Sequence, residues 1–197
     1  MPRVLILLAH PQRAHSRVNA ALAQAALAAG LPVRDLYALY PDYLVDVPTE
    51  QAALAGADLV VWLHPIHWYG MPALMKLWLD EVFSFGWAYG PGGRALQGKD
   101  LWLVTSTGGQ ASSYGPGGYN RHVFDAFLPP YAQTAALAGM RFLPPLVLHG
   151  AHQAAAAELQ AHAARWLQRL QTWPDWPEIA DMDTAACEVP AGARPAD

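Results

Sequence analysis

Asp58-Leu59-Val60-Val61-Trp62-Leu63-His64-Pro65-Ile66-His67-Trp68-Tyr69-Gly70-Met71-Pro72 is the stretch whose reading decides the fold. Leu59 to Leu63 is an unbroken apolar run, the pattern of a strand buried on both faces. It stops in aromatics and proline, then opens at Pro72 into the apolar helix Ala73 to Asp80. Proline suits a first helical turn, where its missing N–H removes no bond. A doubly buried strand that turns at once into a helix describes the mouth of a parallel α/β sheet, where ligands bind outside the carboxyl ends of the strands. Trp68 and Tyr69 offer flat apolar surface and unoccupied backbone N–H groups there, a combination suited to a planar ring with polar edges.

Outward from this stretch the pattern repeats. Arg3 to Ala9 reads as strand one, and Ser16 leads into a helix from Arg17 to Ala29, ended by Gly30 with Pro32 beyond. Val33 to Tyr37 is a short second strand, followed by a loop to Val47 and a short helix from Thr49 to Ala55. After strand three, a helix from Pro72 to Phe85 gives way to the glycine-rich aromatic loop Phe85 to Gly93. Asp100 to Thr105 is strand four, Val123 to Ala138 a helix bent at Pro129-Pro130, Arg141 to Leu148 strand five, and Gln153 to Thr172 the last helix. Alternating strands and helices imply a parallel sheet with right-handed crossovers. The expected fold is α/β, a flavodoxin-like doubly wound five-stranded parallel sheet of order 2-1-3-4-5 with helices on both faces. Residues 1–172 read as one domain, and 173–197, rich in proline and without periodicity, as a loosely ordered tail.

Composition narrows the partners. The 197 residues are 53% hydrophobic, enough for a sizeable single core, and carry a net charge of -4 with no basic stripe, which argues against nucleic acid. The single cysteine, Cys187, cannot form an internal disulfide and excludes a cysteine-cluster metal site. No apolar run is long enough to span a bilayer, and the first strand begins too early for a signal peptide. A cytoplasmic protein is expected.

Loops leaving strands one, three and four converge in this topology. Ser16-Arg17-Val18-Asn19 stands at a helix start, where Ser16 is placed to cap, free N–H groups make a phosphate site and Arg17 adds charge. A plain helix cap would look the same, and both readings stand. Pro65, Ile66, His67, Trp68 and Tyr69 would meet a flavin ring; the same residues also suit an apolar helix entry. Thr105, Ser106, Thr107, Gly108 and Gly109 would aim backbone N–H groups at the flavin's N1/O2 edge, or form an ordinary turn. The pairs His64/His67 and His149/His152 lack a neighbouring carboxylate or thiolate, so no metal is expected.

Taken together, Ala9-His10-Pro11, Ser16 to Asn19, Leu36 to Asp42, Ala57 to Trp62, His64 to Tyr69, Leu77 to Phe83, Gly86 to Gly90 and Thr105 to Gly109 resemble the NAD(P)H:quinone oxidoreductase superfamily of flavodoxin-like proteins. The chain is most similar to its Kef-type branch, the ancillary quinone reductases of glutathione-regulated potassium-efflux antiporters, over roughly residues 3 to 172. The resemblance implies a homodimer with FMN (FAD in the mammalian-type branch), NAD(P)H as co-substrate and a quinone as acceptor. It also implies an antiporter partner at the inner membrane face, with the Gly86 to Gly90 loop closing the substrate pocket across the dimer. His10 would lie beside the phosphate. The family places a tyrosine and a histidine after the glycine pair as catalytic groups. Tyr114 matches the first by spacing; Asn120 occupies the histidine's place, so His122, displaced by two residues, is the candidate for the second.

Overall fold

The computed structural model describes residues 3–180 and 182. Five parallel strands, β1 (Val4–Leu8), β2 (Val33–Asp35), β3 (Leu59–Pro65), β4 (Asp100–Ser106) and β5 (Arg141–Leu148), form one sheet in the order β2-β1-β3-β4-β5. The order is the expected one, and it follows from the apolar runs. Every residue of β3 and of β4 is buried, so both need neighbours on either edge and helices on either face.

Alternate side chains sort into two cores. Leu5, Leu7, Val60, Trp62, Leu101 and Leu103 face α3 (Val47–Ala55), α4 (Ala73–Val82) and α5 (Pro129–Leu137). Ile6, Leu8, Val61, Leu63, Trp102 and Val104 face α1 (Val18–Ala28) and α6 (Ala156–Thr172). The largest buried charge, Glu50 on α3, is saturated by Arg34, Tyr40 and the Trp78 indole N–H at 3.1 Å.

Several boundaries differ from the sequence reading. β2 ends at Asp35, and Leu36–Leu39 form a short helix, α2, where strand and loop were expected. The helix expected over 123–138 is split: a 3-10 turn covers Phe124–Phe127, and α5 starts afresh at Pro129, where two prolines cost no hydrogen bond. α6 begins at Ala156, three residues later than expected. The loose tail is corrected over its first residues. Trp173, Trp176 and Ile179 are buried in the second core, and the Trp176 ring meets Trp102 edge-on at 4.8 Å. The Trp173 indole donates to Asp100 Oδ2 (2.8 Å), a carboxylate that Arg141 also grips at 2.7 and 2.9 Å. Cys187 lies outside the described residues.

Candidate active site at the carboxyl edge of the sheet

Strand register gathers the site. Pro65 pairs with Ser106 and Ser106 with Leu148, so β3, β4 and β5 end at one level, while β1 ends two residues short of it, opposite Leu63. A cavity of about 220 Å³ opens there. That is smaller than a typical whole-ligand pocket of ~300–1,000 Å³, so it has room for one part of a larger ligand.

The first wall is the start of α1, with His10, Ser16, Arg17, Val18 and Asn19 all on the cavity. Ser16 Oγ accepts from the Ala20 N–H at 3.0 Å and closes the first turn. The N–H groups of Val18 and Asn19, ahead of it, have no intrahelical acceptor. The Arg17 guanidinium donates to the carbonyls of His152 (2.9 Å) and Ala154 (2.8 Å), which keeps its charge at the wall while tying down the loop after β5. Asn19 is buried; its Oδ1 accepts from Ser106 Oγ at 2.9 Å, and its Nδ2 has no partner.

The second wall is Pro65, Ile66 and His67. The N–H groups on either side of Trp68 and Tyr69 are committed within the chain. Ile66 N–H donates to Ser106 O (2.8 Å), and His67 and Gly70 exchange N–H···O bonds at 3.0 and 3.1 Å. That exchange closes a two-residue turn in which Trp68 (φ 49°) and Tyr69 (φ 66°) are both left-handed. For bulky residues this conformation costs about 1–3 kcal/mol each, and such strain clusters at ligand clamps. Neither ring lines the cavity. Trp68 is 95% exposed, and Tyr69 stacks on Phe127 at 5.0 Å.

Ser106, Thr107 and Gly108 form the third wall. Thr105 does not reach it: buried inside β4, its hydroxyl donates to His64 O at 2.6 Å. Gly109 stands behind, its carbonyl accepting from Thr107 Oγ1 (2.7 Å) and Gly150 N–H (2.9 Å). A fourth wall, Ala151 and His152, comes from the loop after β5, and Gln12 and His15 add to the rim. The order 2-1-3-4-5 carried the signal for that loop, since β5 neighbours β4 and ends level with it.

Four histidines rim the cavity. Burial and the neighbouring His67 push the His10 pKa down, and burial alone lowers that of His67. Among the described residues no group of three or more His, Cys, Asp or Glu side chains is arranged to hold a metal ion. Tyr114 stands near Thr107, and burial raises its pKa. The histidine beside Tyr114 is His149, with ring centroids 5.2 Å apart; His122 instead meets Phe127 edge-on at 6.2 Å.

The profile of the flavodoxin-like fold family matches residues 2–170. The chain belongs to the flavodoxin-like family. It is 46% identical over 173 residues to the glutathione-regulated potassium-efflux system ancillary protein KefF of Klebsiella aerogenes, covering 87% of this chain and 97% of that one. Among solved structures, the general stress protein 14 of Treponema denticola, in complex with FMN, is 36% identical with a TM-score of 0.82, over 87% of this chain and 99% of that one. An NADPH-quinone reductase from P. pentosaceus is 26% identical with a TM-score of 0.76, over 84% and 96%. The group that this family suggests fits the residues present. The start of α1 lines the cavity with Arg17, Val18 and Asn19, where first-turn N–H groups without intrahelical acceptors and a guanidinium charge suit a phosphate.

Proposed function

We propose that the chain is a flavin-dependent NAD(P)H oxidoreductase that reduces quinones or similar planar acceptors by two electrons in a ping-pong cycle. The observation that carries this is the start of α1 on the cavity wall, where the N–H groups of its first turn stand beside Asn19, a buried residue whose Nδ2 has no partner. Support for FMN over FAD comes from the FMN complex of the 36%-identical relative.

In this reading Asn19, the first turn of α1 and Arg17 hold the phosphate, with His10 beside it. Pro65 to Tyr69 and Ser106 to Gly109 flank the ring. A bound flavin supplies the hydride-accepting and hydride-donating chemistry. The protein orients it, excludes water and steadies charge through the turn at Thr107, behind which Tyr114 stands. His122 is not brought to that turn, so we give it no catalytic part. NAD(P)H and the acceptor bind in succession. Trp68, exposed on its strained turn, is suited to contact a second copy of the chain, in keeping with a homodimer.

Among the described residues no helix is long and apolar enough to cross a membrane. The KefF relative is named as ancillary to a potassium-efflux system. We accordingly place this chain in the cytoplasm, with an antiporter as a partner at the inner membrane face; that role and the reductase role are compatible. The test is the visible spectrum of purified protein supplied with FMN, recorded before and after anaerobic NAD(P)H and again after a quinone. A flavin band that bleaches and returns supports the reading. Failure to hold any flavin refutes it.

A further inference from the structure

The hydroxyl of Thr107 is a junction between the Gly109 carbonyl and His149. A threonine hydroxyl has one proton to give and two lone pairs to receive with. The Gly109 carbonyl, 2.7 Å away, has no proton to offer, so it takes the one that Thr107 holds. Its lone pairs are left to receive, and one of them faces His149 Nδ1 at 2.9 Å. His149 must therefore present Nδ1–H. In its neutral form Nε2 is then the bare nitrogen, where a proton can be added without breaking the junction.

The surroundings leave this ring free to gain that proton. Burial holds the His149 pKa below the ordinary histidine value, so it is neutral at neutral pH. Its ring lies against Tyr114 and, edge-on at 5.1 Å, Phe124. Burial raises the Tyr114 pKa, so its phenol stays protonated. Across a groove, α6 presents Glu158, His162 and Arg165. Burial and Arg165 hold His162 down, while Glu158 and Arg165 bring one charge of each sign. His149 thus touches both the groove and, through Thr107, the turn that walls the cavity.

We infer that His149 is a proton-linked positioning residue, which takes a proton from solvent onto Nε2 when negative charge arises at the Thr107–Gly109 turn and returns it when that charge leaves. The inference rests on the flavin reading above, in which NAD(P)H delivers two electrons and one proton as hydride. The further proton comes from solvent hydronium: one O–H bond breaks, releasing water, as one N–H bond forms at Nε2, and His149 is neither oxidised nor reduced. His149 does not line the cavity, so it acts through Thr107 rather than on the reacting atoms.

The experiment compares FMN-loaded wild type with His149→Asn, whose amide can still donate to Thr107 but does not titrate, and with His149→Phe, which removes the donor. Midpoint potentials are measured by dye equilibration across the neutral pH range, alongside FMN affinity by fluorescence quenching. Wild type should take up about one more proton per two electrons than His149→Asn. His149→Asn should keep its FMN affinity, and His149→Phe should lose about tenfold or more as the turn loosens. Equal pH slopes in wild type and His149→Asn, with FMN bound to both, overturn the inference and leave the flavin reading standing. A wild type that binds no FMN overturns both. Nitrogen chemical shifts of His149 in wild type give a check independent of any variant. They should be those of the Nδ1–H tautomer in the oxidised protein and of imidazolium in the reduced one; unchanged shifts refute the proposal.

Discussion

Replacing Asn19 with alanine separates the binding role of its amide from its structural one. In the free protein the change removes the Ser106 Oγ–Asn19 Oδ1 hydrogen bond, worth about 0.5–1.5 kcal/mol. It also removes a buried Nδ2 without a partner, whose desolvation costs about 1–3 kcal/mol. These have opposite signs, so the apoprotein's unfolding free energy should change by between about −0.5 and about +2.5 kcal/mol. With a phosphate in place the balance changes. A charge-assisted bond worth about 1.5–3 kcal/mol is lost, which converts to FMN binding weaker by about 10- to 150-fold. Riboflavin has the ring and the ribityl chain but no phosphate, and its affinity should be unaffected. Fluorescence quenching titrations with both ligands, and a urea melt of the apoprotein, read all three quantities. Equal weakening of FMN and riboflavin would show that the amide meets another part of the ligand. An apoprotein destabilised by several kcal/mol would show that Asn19 is a core residue whose orphaned nitrogen does not matter.

Gly108→Val places a Cβ 3.4 Å from His152 Nε2 and its methyl groups toward the cavity; FMN affinity should fall more than tenfold, and retained affinity removes Gly108 from the site. Truncation after Thr172 strips Trp173, Trp176 and Ile179 from the second core, at about 1.5–3 kcal/mol for each buried side chain. The truncated protein should lose about 5 kcal/mol or more in a denaturant melt, and an unshifted midpoint contradicts the packing described. His64 is fully buried and held at about 4, below the unfolded value of 6.5. The unfolded chain therefore gains a proton first as pH falls, and stability present above pH 6.5 is lost progressively toward pH 4, by about 3 kcal/mol. His64→Phe keeps a ring against Tyr131 and should flatten that part of the profile; parallel profiles would point to other groups. Trp68→Gly should leave the apoprotein as stable or up to about 2 kcal/mol more so, because a 95% exposed indole buries little and glycine adopts a positive φ freely. A marked loss would mean that the indole packs in solution.

What the sequence made legible is what repeats locally. The apolar runs of β1, β3 and β4, each followed by a polar or aromatic break, announce doubly buried parallel strands, and topology then places the exits of β1, β3 and β4 together. Ser16 as cap of α1 was equally readable, since a serine ahead of an alanine-rich helix has one obvious task. Other features depend on contacts that span the chain. His149 meets Thr107 across 42 residues, and no spacing near either one records it. The left-handed Trp68-Tyr69 turn lacks the asparagine or glycine that usually marks such conformations. The tail did leave a signal: Trp173, Trp176 and Ile179 recur at every third residue, and the prolines between them masked it.

A buried polar group marks a binding site only when its own surroundings leave it wanting. Glu50 is the counter-example. It is the most deeply buried acid among the described residues, yet Arg34, Tyr40 and Trp78 satisfy it from three directions, and it does not line the cavity. Such a network holds α3 and α4 together and asks for nothing more. Asn19 sits under the opposite condition. Five side-chain polar atoms among the described residues are buried without a partner, and Asn19 Nδ2 belongs to the one such residue on the cavity wall. It stands beside free N–H groups whose dipoles favour negative charge. The unmet donor in the first turn of α1 and the strained turn after β3 come from separate segments, and the sheet register brings both to one edge. Folding alone gives no reason to keep a costly amide and a strained aromatic pair there; an anionic, planar ligand supplies one.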